Sequence, residues 1–326
     1  MASNLKVALF ITPLLIVGQL VSGGHAQQQP KPTKAIQVTG LKGVKNNTKG
    51  SLKVEKENLR FTHSRSTTDL RPSSMQDVIT GSDSQRVIRG TLGTLSMFGP
   101  YGSDRFLSLF RSKLDTLTIQ YRDSDGGLHG VIFTTPVGTA NVIKDDLIGL
   151  GAQTSVPLQG NPITETSVAS DMKEPSIQTQ HEQLAKINAS AISVMMIQSD
   201  EVKLPAEFQV SLYENLIQQM QKKSGFQRVY REGDSNSADA PNLVVLHSTV
   251  RGFKRGSEMA RQVTTVAGAT SITVHCEFTD NNGQLLLARD VKGKVQFFGG
   301  NLRATYDFAK KAARVAHENF SPAAGT

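Results

Sequence analysis

Ile272-Thr273-Val274-His275-Cys276-Glu277-Phe278 sets apolar residues against polar ones in strict alternation. After Asn282-Gly283, the residues Leu285, Leu287, Val291, Val295 and Phe297 mark a return run. Successive side chains of a strand point to opposite faces, so the stretch predicts two antiparallel strands sharing one buried face. Asn282-Gly283 makes a tight turn between them, a dipeptide common where a hairpin reverses. Upstream, Leu243-Val244-Val245-Leu246 is continuously apolar, as expected of a strand covered on both faces. Further upstream, Ile192, Val194 and Met196 alternate, and after Pro205 the period becomes helical. Phe208, Leu212 and Leu216 form one stripe, Tyr213, Ile217 and Met220 the adjoining one, and Gly225 stops the helix. Downstream, Asn301 caps a final helix with Leu302, Ala309, Ala313 and Ala316 inward and Lys310, Lys311 and Arg314 outward. This order predicts an α+β sandwich, an antiparallel sheet with two helices, over residues 182–320, followed by a tail at 321–326.

The first half alternates differently. Ser51-Leu52-Lys53-Val54 and Leu59-Arg60-Phe61 flank a hairpin turn, and Met75 to Ile79 suggests another strand. Leu117, Ile119 and Tyr121 lie on one face of a strand that turns at Asp125-Gly126-Gly127 into Val131 and Phe133. Pro136 then opens a helix in which Ala140, Ile143, Leu147 and Leu150 recur at helical spacing. Several antiparallel strands closed by one C-terminal helix, over residues 35–152, resemble the pleckstrin-homology-like domain of bacterial envelope proteins. The resemblance implies a small antiparallel β-barrel that binds lipids, peptides or proteins. The stretches 27–34 and 153–181, polar and proline-bearing, read as linkers, the second of them flexible.

The first 26 residues carry Lys6, an apolar run from Val7 to Val21, and the small residues of Gly24-His25-Ala26. That is the form of a cleavable secretory signal peptide, with an apolar run too short for a membrane-spanning helix. No cysteine follows the run, so the expectation is a soluble periplasmic or extracellular protein without a lipid anchor. Cys276 is the one cysteine of the 326 residues, which excludes an intrachain disulfide and a thiolate zinc site.

Gly252-Phe253-Lys254-Arg255-Gly256, Arg261, Ala267-Gly268-Ala269, Asp280 to Gly283 with Leu285-Leu286, and Gly299-Gly300 before the closing helix form a further set. Together they resemble the bacterial envelope family known only as domain of unknown function forty-four-ten. The resemblance spans about residues 182–320 and implies an exported α+β domain with no recognised catalytic constellation. Many members of that family are lipoproteins, and this chain departs from them in lacking the lipobox cysteine.

Catalytic motifs are missing from the sequence: there is no Gly-x-Ser-x-Gly elbow, no phosphate-binding glycine loop, and His181-Glu182 lacks the second histidine of a zincin helix. His275 and Cys276 are neighbours on a strand and point to opposite faces, so they read as a surface histidine and a core cysteine. Asp145-Asp146 read as the solvated face of a helix. No catalytic residue, metal or cofactor is indicated.

Two features stand above this background. Ile88 to Phe110 is rich in glycine and apolar residues and is rimmed by cations. Its candidate contact residues are Arg86, Arg89, Leu95, Met97, Phe98, Tyr101, Arg105, Phe106, Arg111 and Lys113. Such a segment packs on its own scaffold or inserts into an anionic membrane surface. The second feature is charge: of the net +8, residues 27–152 carry +6, with 17 Lys and Arg against 11 Asp and Glu. Aromatic platforms are not interleaved with these cations, which argues against nucleic acid. The reading is an exported, non-catalytic envelope protein that binds a protein partner or an anionic membrane surface, with an unrecognised hydrolase as the minor alternative.

Overall fold

In the computed structural model the described residues are 31–81, 114–155, 186–256, 269–295 and 302–321. Residues 1–26, expected to be a signal peptide, Ile88–Phe110 with all ten candidate contact residues, linker residues 156–181 and the expected helix cap Asn301 lie outside them.

The first half is one sheet built from two meanders. Strands β1 (Thr33–Thr39), β2 (Thr48–Glu55), β3 (Asn58–His63) and β4 (Ser66–Leu70) form the first. Strands β5 (Met75–Thr80), β6 (Asp115–Arg122) and β7 (Leu128–Thr135) form the second. Antiparallel pairing of β1 with β7 joins them in the order β4-β3-β2-β1-β7-β6-β5. Strand β1 begins at Thr33, inside the stretch expected to be linker. Helix α1 (Thr139–Gly149) follows and packs against β2, β5, β6 and β7. Because β1, β7 and β6 lie between β2 and β5, the sheet must curl round α1 to bring both into contact with it. The alternating inner residues Leu52, Phe61, Val78, Ile119 and Phe133 bury with Ile143 and Leu147 in one core.

The expected barrel is corrected to an open sheet: β4 and β5 are not paired. The edge of β5 is taken instead by the chain leaving α1. Gln153 N donates to Met75 O at 3.2 Å and Thr154 Oγ1 to Val78 O at 3.0 Å.

The second half holds β8 (Ile187–Asn188), β9 (Ala191–Val194), α2 (Ala206–Lys223), β10 (Arg228–Arg231) and β11 (Leu243–Lys254). Then come β12 (Thr270–Thr279), β13 (Leu285–Val295), α3 (Arg303–Asn319) and β14 (Phe320–Ser321). The five-stranded sheet runs β10-β9-β11-β12-β13, and short β14 pairs with β8. The hairpin β12–β13 is antiparallel, as its alternation predicts, and Ile272, Val274, Cys276 and Phe278 are buried. The expectation of a wholly antiparallel sheet is corrected: β9 pairs parallel with both β10 and β11. Helix α2 is the reason, since it carries the chain back to the start of the sheet before β10, and such a crossover produces parallel neighbours. Helices α2 and α3 pack together over one face. The alanines of α3, Ala304, Ala309, Ala312, Ala313 and Ala316, are all buried, and their small size lets the two helices approach closely. Between them Ser211, Asn215 and Thr305 satisfy one another at 2.8–3.1 Å.

The two halves touch. Seven of the eight residues of β7 are buried, one face against the α1 core and the other beneath α2.

Candidate functional site

The turn between β6 and β7, Asp123 to Gly127, is organised by one carboxylate. Asp123 Oδ1 accepts the amides of Asp125 and Gly127 at 3.1 and 2.9 Å, while Asp123 Oδ2 meets His129 Nε2 at 2.9 Å. Burial opposes the Asp123 charge, but His129 and the two amides prevail and hold its carboxyl below the usual range. An ionised Asp123 accepts only, so His129 Nε2 carries the proton and Nδ1 is a bare acceptor. Nδ1 is buried and has no hydrogen-bond partner. The ring is 5% exposed and stacks on its cross-strand neighbour Tyr121 with centroids 5.1 Å apart. Burial, then the positive charge of Arg231, push His129 below its ordinary value, against the pull of Asp123 and Glu214.

Across the boundary, Glu214 of α2 and Arg231 of β10 form a bidentate pair at 2.7 and 2.8 Å. The Arg231 guanidinium lies 5.7 Å from the centre of the Tyr213 ring. Their position follows from the end of the β1–β7 ladder. Pairing stops at Thr39 with Ile132, and Gly40 then turns away with φ +94°. Gly40 passes so near the Gly130 carbonyl that any Cβ there would overlap it. The peptide groups of β7 that β1 leaves behind need other partners. Glu214 Oε1 accepts Gly130 N at 2.9 Å, Arg231 Nη1 donates to Leu128 O at 3.0 Å, and Glu232 O accepts Leu128 N at 2.9 Å. Ser235 N donates to Asp125 O at 2.9 Å, while within the first half Arg122 Nη1 donates to Gly126 O at 2.7 Å. The second half thus completes an unfinished sheet of the first.

A cleft of about 370 Å³ opens beside this joint, with Lys42, Asp125, His129, Glu214, Arg231 and Asp234 in its walls. Its charge is mixed, and its two most buried ionic side chains are committed to each other. No hydroxyl or thiol among the described residues is bonded to His129, so the Asp–His pair stands without an assembled nucleophile. Among the described residues no three histidine, cysteine or carboxylate side chains gather as a metal site, and no helix is long and apolar enough to cross a membrane.

Cys276 lies wholly in the core, where burial pushes its thiol up to about 12. His275 faces the other way, toward Asp290 at 2.6 Å and Glu277 at 3.3 Å, as the strand alternation predicts. Asp145 is exposed and Asp146 half-buried on α1. The sequence reading missed the joint. Its one local signal was hairpin register: counting back from the Asp125-Gly126-Gly127 turn places His129 opposite Tyr121. Glu214 and Arg231 left no such mark.

No family model matches the chain, and no curated protein matches it. Among solved structures, a single-residue variant of the PelC dodecamer from Paraburkholderia phytofirmans is similar at 15% identity and a TM-score of 0.30. That match covers 42% of this chain and 94% of that one. A Caulobacter crescentus protein described as a lipoprotein is similar at 17% identity and a TM-score of 0.20, covering 38% of this chain and 81% of that one. At these values the likeness carries no part of the functional reading.

Proposed function

We propose that the protein is an exported, non-catalytic binding module of the cell envelope whose two halves act as one unit. One observation supports this above the others: apart from His129, whose Nδ1 has no nucleophile bonded to it among the described residues, the buried ionisable side chains that converge at the joint are spent on structure. Glu214 and Arg231 neutralise each other and finish the hydrogen bonding of β7, and Asp123 closes a turn. General acid–base or nucleophilic catalysis needs such groups free and a nucleophile within hydrogen-bond reach. The partner is a protein or an anionic membrane surface, toward which the +6 charge of residues 27–152 would draw it.

The test is a panel of fluorogenic ester, phosphate and glycoside substrates offered to the wild type and to His129→Ala. No turnover above buffer is expected. Hydrolysis that disappears in His129→Ala would overturn the reading and make the Asp123–His129 pair an active site.

A further inference from the structure

The two large sheets have four edges, and three carry blocking contacts along at least part of their length. The Gln153–Ser155 segment occupies β5, through Met75 O and Val78 O. The C-terminal end of β13 is covered by α3, with Lys294 N donating to Asp307 Oδ2 and Lys311 Nζ to Lys292 O, both at 2.9 Å. The end of β10 is tied into the joint with Leu128. Strand β4 is different. Among the described residues none of the peptide groups of Ser66–Asp69 bonds to anything beyond β3, and Ser66, Thr67 and Asp69 are exposed. An uncovered edge is a template for another strand, which proteins ordinarily block.

The β3–β4 hairpin turns through two residues, Ser64 and Arg65, with His63 opposite Ser66. In such a hairpin the pair flanking the turn shares the close hydrogen bonds, and the pairs alternate from there. The N–H and C=O of Thr67 and Asp69 therefore point away from β3. On the concave side of β4 lies a cavity of about 440 Å³, between Thr68, Leu70 and Arg71 on one wall and Lys42, Arg122, Asp123 and His129 on the other. The cations Lys42, Arg71 and Arg122 in its lining outnumber the acids Asp69 and Asp123. Charge selects the occupant. Asp69 is held by Arg60 in a bidentate pair at 2.8 and 2.9 Å, which cancels the one acid of the strand. Arg65 and Arg71, at the two ends, and Lys42 are exposed cations. A second copy of this chain would bring the same positive charge to that edge.

We propose that β4 is a strand-addition edge that docks an extended, acidic segment of a partner protein, with one of its side chains entering the cavity beside Leu70. The proposal rests on the binding-module reading and gives its partner a shape and a charge. Main-chain bonds would supply affinity, and the cavity with its cationic ends would supply selectivity.

The experiment is amide hydrogen exchange by NMR on the ¹⁵N-labelled protein, with a capped peptide alternating Glu with Thr or Val, and a Lys counterpart. Filling nine-tenths of the sites with the acidic peptide is expected to slow exchange at Thr67 and Asp69 roughly tenfold, while Ser66 and Thr68 change little. Thr67→Pro removes an outward N–H at no cost to the β3 ladder and is expected to abolish the effect. Arg65→Glu combined with Arg71→Glu changes only exposed side chains and is expected to transfer the preference to the Lys peptide. Equal response to both peptides, or none at Thr67 and Asp69, overturns the proposal. So does protection that grows with protein concentration alone, which would mark a second copy as the occupant. Each of these results removes β4 as the dock and leaves the binding-module reading to the substrate panel.

Discussion

Gly130 on β7 donates its amide to Glu214 on α2 at 2.9 Å, a main-chain bond of the first half completed by a side chain of the second. The same carboxylate is neutralised by Arg231, so one buried group fastens the sheet, the helix and β10. The halves cannot part without exposing both a sheet edge and an ion pair.

Removing one partner of that pair is therefore expected to be severe. Glu214→Ala strands the largely buried Arg231 charge and the Gly130 amide, at a cost of about 3–5 kcal/mol. Urea denaturation followed by circular dichroism checks it, and Glu214→Leu combined with Arg231→Leu, which leaves no stranded charge but still unpairs Gly130 N and Leu128 O, is expected to recover part of the loss. A single mutant as stable as wild type would show that the halves are held by other contacts.

A side chain at Gly130 is expected to pry α2 from β7. A Cβ there would sit 2.6 Å from Val210 Cγ1, a branched side chain with little room to yield. Gly130→Ala should cost about 1–3 kcal/mol by overpacking. Adding Val210→Ala should return most of it, which a comparison of melting temperatures for the three variants reads directly.

His129 makes the joint acid-sensitive. Its folded value lies below the ordinary 6.5, so the fold prefers the neutral ring and the unfolded chain binds the extra proton. Its contribution to stability is full above pH 6.5 and falls as the pH drops from there toward the lowered folded value. The lowered Asp123 carboxyl acts in the same direction in a more acidic window, beneath its ordinary 3.8. Denaturation midpoints taken from pH 7.5 to 5.5 should fall less steeply in His129→Phe than in wild type. Parallel slopes would remove His129 as their source.

The turn between β2 and β3 carries avoidable strain. Lys56 and Glu57 hold φ of 49° and 65°, left-handed values that bulky side chains adopt at a cost. Replacing the pair by Asn-Gly, residues suited to that backbone, should stabilise the protein by about 1 kcal/mol. An unchanged melting temperature would mean that the native side chains offset the strain.

Periodicity made the elements legible. Alternation placed Ile272, Val274, Cys276 and Phe278 on the buried face of β12, and both stripes of α2 proved buried. Strand parity alone separates Cys276 from His275. The same local signal says nothing about which strand lies beside which. β9 is buried on both faces, a condition equally suited to parallel or antiparallel neighbours, and only the return of the chain through α2 makes it parallel to β10 and β11. The pattern of β4 and β5 fits a closed barrel as well as an open sheet. What keeps the sheet open at β5 is residues 153–155 lying along that edge.

What the sequence alone determined is thus which side of each strand and helix turns from water, because burial is proportional to apolar area and that area is written residue by residue. The joint belongs to the tertiary structure. The meaning of Glu214 and Arg231 depends on where β1 leaves β7, and the state of His129 depends on both, because a charge in low dielectric is governed by whatever neighbours the completed fold brings to it.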